Sequence, residues 1–173
     1  MAETYRAVYP AVVFGNLKSM AGILNGVGSA KIVRIVRAWI LNNQTAAVTG
    51  VLVNLEWRLI TALSGGTTIT PRKMDTNNAN VNGNIVIAHG GTATDDAAKI
   101  LKKLQWSNDE PVVSAATIDE WECLVPLGLF WDAGYRDTNI QRLTLREGQG
   151  VHLKCATSTV VGNCDVVIEF TQE

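Results

Sequence analysis

The 173-residue chain has no excess of either charge. Fifteen Lys and Arg stand against sixteen Asp and Glu, a net charge of -1. A dedicated nucleic-acid binder normally carries a basic excess, so no direct nucleic-acid partner is expected. Histidine is scarce. His89 and His152 are the only two, while a histidine-ligated metal enzyme brings two or three, with a carboxylate, onto one ion. No metal and no other cofactor is expected, and each histidine reads as a solvent-facing structural residue. Cysteine is scarce too: Cys123, Cys155 and Cys164, with no Cys-x-x-Cys pair. That excludes a zinc site of the usual spacing and leaves small buried hydrophobes. A sharper alternative has Cys155 and Cys164 facing each other across a C-terminal hairpin and oxidising.

Long apolar runs are missing as well. The longest apolar-looking uncharged stretch, Ala38 to Leu55, is broken by Asn42, Asn43, Gln44 and Thr45, and a membrane helix needs about 20 mostly apolar residues. No membrane partner is expected. The N-terminus, Met1 to Arg6, has no basic segment leading into an apolar one, so synthesis in the cytoplasm is expected. No repeat and no linker is visible, and the length suits one domain over 1–173. Residues 1–30 read either as an extended N-terminal arm or as edge strands.

Catalytic patterns are equally sparse. No Gly-x-Ser-x-Gly elbow accompanies Ser64 or Ser114. Glu120 and Glu122 share one face of a strand candidate, and Asp95 adjoins Asp96, but such carboxylates are ordinary on a sheet surface. Glu147-Gly148-Gln149-Gly150 lacks the lysine and succeeding helix of a phosphate loop and reads as a β-turn. Arg34, Arg37 and Arg58 would form a basic row beside Trp39 and Trp57 if their strands paired. Five tryptophans more often serve a core or an interface. A non-enzymatic protein is the reading.

What is present is β-forming sequence. Val, Thr and Ile make up over a quarter of the chain, and apolar residues recur with a period near 2. Strand candidates are Thr4 to Phe14, with Pro10 marking an edge or a bulge, Ser19 to Leu24, and Lys31 to Leu41. The last is nearly apolar on both faces and is therefore placed centrally. Val48 to Ile60 has Val51, Val53, Leu55, Trp57 and Leu59 on one side and Asn54, Glu56 and Arg58 on the other. Further candidates are Thr67 to Met74, Ile85 to Ala88, Leu127 to Trp131 and Leu143 to Arg146, with Thr117 to Leu124 a strand or a turn of helix. Val151 to Ala156 and Asp165 to Thr171 read as a closing hairpin. Thr94 to Leu104 carries helix signals, with Asp95 and Asp96 early and Lys99, Lys102 and Lys103 late, yet also continues the sheet as a strand. The fold class is mainly β: an antiparallel β-sandwich, jelly-roll-like, with at most one short helix.

Two stretches resemble a known group. The first is Asn42-Asn43-Gln44-Thr45-Ala46-Ala47-Val48-Thr49-Gly50-Val51, with Leu59-Ile60-Thr61, Ser64-Gly65-Gly66-Thr67, Ile69-Thr70-Pro71 and Met74-Asp75 after it. The second is Leu143-Thr144-Leu145-Arg146-Glu147-Gly148-Gln149-Gly150-Val151 with the C-terminal strands. Together they resemble the small β-rich virion proteins of tailed bacteriophages, of the head decoration (cement) or minor capsid type. The resemblance spans Lys31 to Asp75 and Thr117 to the C-terminus. It implies a structural protein on the outer capsid surface, partnered by the major capsid protein and by itself as a homo-oligomer, commonly a trimer. A carbohydrate- or receptor-binding module on the particle is the alternative. Interface candidates are Asn77, Asn78 and Asn80 in the Asn-rich loop, together with Trp131 and Tyr135.

Overall fold

A computed structural model describes residues 2–15, 17–43, 51–108, 128–133, 142–156 and 162–173. Twelve strands are β1 (Glu3–Val13), β2 (Ser19–Asn25), β3 (Val33–Asn42), β4 (Val51–Ser64), β5 (Thr67–Thr68), β6 (Arg72–Lys73), β7 (Ile85–His89), β8 (Thr92–Asn108), β9 (Gly128–Asp132), β10 (Leu143–Leu145), β11 (Gln149–Cys155) and β12 (Asn163–Gln172). No helix occurs among the described residues.

The strands form two antiparallel six-stranded sheets. The first runs β10-β3-β12-β1-β6, with β9 also on β3; the second runs β5-β7-β2-β11-β4-β8. The chain's two ends pair with each other, β1 with β12 and β2 with β11. The next strands inward pair on their far sides, β3 with β12 and β4 with β11. From β1 to β4 consecutive strands therefore alternate between sheets, β4 and β8 stay together in the second, and β11 and β12 part again, which is the wrap of a jelly roll. The first thirty residues contribute an interior strand to each sheet, where the sequence left an arm or edge strands open.

Alternation explains most of this. On β4, Val53, Leu55 and Trp57 are fully buried while Asn54, Glu56 and Arg58 point outward, as a half-wet antiparallel sheet requires. β3 lies inside the first sheet, between β12 and the strands β9 and β10, as its nearly apolar sequence suggests. Pro10 sits where the β1–β12 register slips between Tyr9 and Val12, a bulge. Its next residue, Ala11, adopts φ 48° and donates its N–H to the Asp165 carboxylate at 2.7 Å. The core joins both sheets. Tyr5 stacks on Phe170 at 5.5 Å, and Trp57 of the second sheet meets Phe130 of the first edge-on at 5.1 Å. The buried Tyr9 hydroxyl donates to the Gly22 carbonyl at 3.0 Å, tying β1 to β2 across the sandwich.

One open choice is settled and two expectations need correction. Thr94 to Leu104 takes the strand alternative: it pairs with β4 from Ser64↔Thr92 to Val51↔Asn108 through several bulges. Long-range pairing overrides the helix propensity of its Lys and Leu residues. Val151–Ala156 and Asp165–Thr171 do not form a hairpin, because β11 and β12 belong to different sheets. Thr67 to Met74 splits around Pro71 into β5 and β6, again one in each sheet. The candidate at Thr117 to Leu124 lies outside the described residues.

Candidate functional site

The outer face of the first sheet carries the most organised surface. In an antiparallel pair, directly opposed residues point to one face. The register Arg6↔Glu169↔Arg37↔Asp132 crosses β1, β12, β3 and β9. It makes a row of alternating charge. Arg6 grips Glu169 Oε1 through Nη2 at 2.6 Å and Nε at 3.0 Å, and Arg37 Nε lies 3.9 Å from Asp132 Oδ2. Arg72 of β6, opposite Arg6, extends the row by one cation.

The neighbouring row is apolar: Val8↔Val167↔Trp39↔Leu129 over the same four strands. Val8 and Leu129 are 40% and 46% exposed, which is high for large aliphatic side chains on a sheet face. The Arg6 guanidinium reaches across β12 to lie 5.7 Å from the Trp39 ring centre, a cation–π contact. On the far side of the charged row runs a polar one, Thr4↔Thr171↔Arg34↔Thr144. Exposed ion pairs of this kind contribute at most about 1 kcal/mol to stability. An apolar stripe flanked by fixed charges is instead the make-up of a protein contact.

The described members of the predicted interface set are not gathered on this face. Trp131 sits opposite Ala38, past a register shift, and packs half-buried against the core. Trp39, which sequence reading placed in a central strand and not at an interface, is the aromatic on the outer face. Tyr135 lies outside the described residues. Asn77, Asn78 and Asn80 lie at one end of the sandwich. That loop is fastened down: Ala79 N–H donates to Glu3 at 3.0 Å, Asn78 to the Thr4 carbonyl at 3.4 Å, and Asn82 to the Ser29 carbonyl at 3.0 Å. The Ala79 N–H and the Tyr5 hydroxyl hold the Glu3 carboxyl below its ordinary pKa. Asn77 stays exposed, and Asn80 lines an open cleft of about 590 Å³ with Glu3, Lys31, Asn82, Gln172 and Glu173.

A second cluster lies outside the second sheet. Asp95 of β8 accepts from His152 Nε2 at 2.9 Å, Arg58 Nη1 at 2.7 Å and Lys154 Nζ at 2.7 Å. Glu56 stands 3.5 Å from Arg58. Contrary to expectation, His152 does not face solvent: its side chain is 1% exposed. His89 is half-buried, edge-on to Tyr9. The Asp95 carboxylate only accepts, so His152 carries its proton on Nε2. Its Nδ1 has no partner among the described residues, nor has the buried Ser19 Oγ. Both flank Gly22, where a Cβ would lie 3.1 Å from Ser19 Oγ and 3.3 Å from His152 Cβ. The line Ser19, His152, Asp95 has the composition of a nucleophile–base–acid set. With Ser19 and His152 buried, no substrate atom reaches it, and the arrangement works as a clamp between strands.

Burial lowers His152 from 6.5 to about 4, against the pull of Asp95. The unfolded chain therefore takes up a proton between pH 6.5 and 4 that the folded chain refuses. Stability falls as pH drops through that window, by about 2–3 kcal/mol at pH 4.5 relative to pH 7. Burial lowers His89 as well, so the His152 share is the part of the pH slope that His152→Gln removes. Urea titrations of both chains at the two pH values measure it.

The condition for a basic row of Arg34, Arg37 and Arg58 is not met: the first two belong to the first sheet and Arg58 to the second. Cys155 and Cys164 are buried, unbridged and on different sheets. Burial, then Asp165 and Cys155, push the Cys164 thiol well up. Glu120, Glu122 and Cys123 lie outside the described residues. Among the described residues no group of three metal-ligating side chains converges, and no helix is long and apolar enough to cross a membrane. Comparison with protein-family models, curated proteins and solved structures finds no match.

Proposed function

We propose that the chain is a structural, non-enzymatic protein of a virus particle, of the bacteriophage head-decoration kind. It binds the outer capsid surface, stabilises contacts between capsid subunits and acts as a small homo-oligomer. The observation that carries this reading is the outer face of the first sheet, where exposed apolar residues are framed by charge on a rigid jelly roll. Jelly rolls recur in viral capsid domains, as they do in lectins and cupins. The mechanism is burial of area between subunits, with symmetry multiplying weak contacts.

The test is the copy number of this chain relative to the major capsid protein in gradient-purified particles. Hundreds of copies per particle are expected. A handful would move the protein to the portal or tail, and absence from particles would overturn the reading.

The cleft beside Asn80 supports the second reading, a carbohydrate- or receptor-binding module on the particle. Its amides and carboxylates suit a polyhydroxylated ligand, although no aromatic residue lines it. Glycan binding lost on Asn80→Ala, with the fold intact, is the result that reading requires.

A further inference from the structure

We infer that the outer face of the first sheet pairs with the same face of a second copy, about a two-fold axis running along the strands between β12 and β3. Such pairing names the surface and symmetry of the small homo-oligomer proposed above, while its test on the purified chain is separate from the test of capsid binding. The reason lies in how the rows behave under a half-turn. That rotation brings the β1 position of one copy opposite the β9 position of the other, and β12 opposite β3.

The charged row reads plus, minus, plus, minus from Arg6 to Asp132, so its reversal is its own complement. Arg6 then faces the second copy's Asp132, and Glu169 faces the second copy's Arg37. The apolar row falls on itself, with Val8 against Leu129 and Val167 against Trp39. The polar row sets Thr4 against Thr144. A half-turn about the apolar row itself does worse: it lays Glu169 over Asp165 and Arg37 over Leu41, since those two pair in the next row. Complementarity of charge and of apolar surface thus selects one occupant and one axis.

The size of the patch sets the strength. Four strands at about 4.8 Å and three rows about 7 Å apart cover roughly 400 Å² per copy. The total of about 800 Å² lies below that of standard stable interfaces, so isolated copies pair weakly, with Kd on the order of 10–100 µM. On a particle holding many copies, the same contact gains from high local concentration.

The experiment is sedimentation equilibrium of the full chain up to several hundred micromolar, with Val8→Glu, Leu129→Lys and the double variant. Val8 and Leu129 lie three strand spacings apart in one chain, about 14 Å, too far to pair within it. In the two-fold dimer each faces the other. Each single variant is expected to weaken pairing about tenfold or more. The double variant is expected to recover most of that loss, because the introduced carboxylate of one copy meets the introduced ammonium of the other. The reversed pair, Val8→Lys with Leu129→Glu, repeats the cycle should one variant fold poorly.

A chain that stays monomeric overturns the inference. So does an oligomer of any order unmoved by the single variants, or single losses that neither double variant recovers. Absence from particles bears on the proposed function alone, because these measurements use the purified chain.

Discussion

Trp57→Ala is expected to cost about 3–5 kcal/mol, a large fraction of the stability of an ordinary domain. Trp57 is fully buried and is the largest such side chain among the described residues. It stands on β4, in the second sheet, and its ring meets Phe130 of β9 at an interplanar angle of 66°. That contact bridges the sheets near the edge of β3, where β9 contributes only five residues. Strands cannot close the gap left by an indole, since both sheets are held at their spacing by the rest of the core. Trp57→Phe separates two contributions. The indole N–H is buried with no partner among the described residues, so removing it offsets part of the lost packing. Phenylalanine is therefore expected to cost less than half as much as alanine. Urea unfolding followed by far-UV circular dichroism measures both. Equal losses would show that a smaller ring fills none of the gap, and the packing account would fail.

How much was readable in the sequence varies with the range of the interactions. β3 and β4 were legible because alternation is local and a sheet face is a local consequence of it. The bulge at Pro10 was legible because a missing N–H must interrupt a ladder. The closing hairpin was misread because Val151–Ala156 and Asp165–Thr171 are neighbours in sequence, whereas here the last two strands cross between the two sheets. Thr94 to Leu104 shows the same limit. Its charge order suits a helix, and only the 14-residue β4 beside it decides otherwise. The face proposed as an interface was the least legible. Arg6, Arg37, Asp132 and Glu169 are scattered along the chain, and they align only after register shifts in β3 against both β9 and β12. Asparagine-rich loops advertise themselves in a sequence; a row across four strands does not.

Asp95→Ala is expected to cost about 3–5 kcal/mol, more than any surface ion pair explains. The reason is what the substitution leaves behind. Arg58 and Lys154 are only 16% and 14% exposed, and His152 is 1% exposed. Without the carboxylate, two largely desolvated cations and a buried imidazole N–H lose their shared acceptor, and breaking a buried pair from one side is the costly way to break it. Burial pushes the Asp95 carboxyl up, but the Lys154 hydrogen bond and the charges of His152, Lys154 and Arg58 outweigh it, leaving its pKa below 3.8. Its folded pKa is depressed, so its contribution is present above pH 3.8 and is lost as pH falls through the lower folded value. The cost of Asp95→Ala should accordingly be the same at neutral and at mildly alkaline pH. Asp95→Asn keeps an acceptor oxygen and should lose less. The decisive comparison is Asp95→Ala with Lys154→Met in the same chain. Removing one stranded cation together with its anion replaces an unpaired charge by apolar surface, so the double variant should be more stable than Asp95→Ala alone. Chemical denaturation of the three chains measures this. If the two substitutions simply add, the cluster is a set of independent surface contacts and not a clamp.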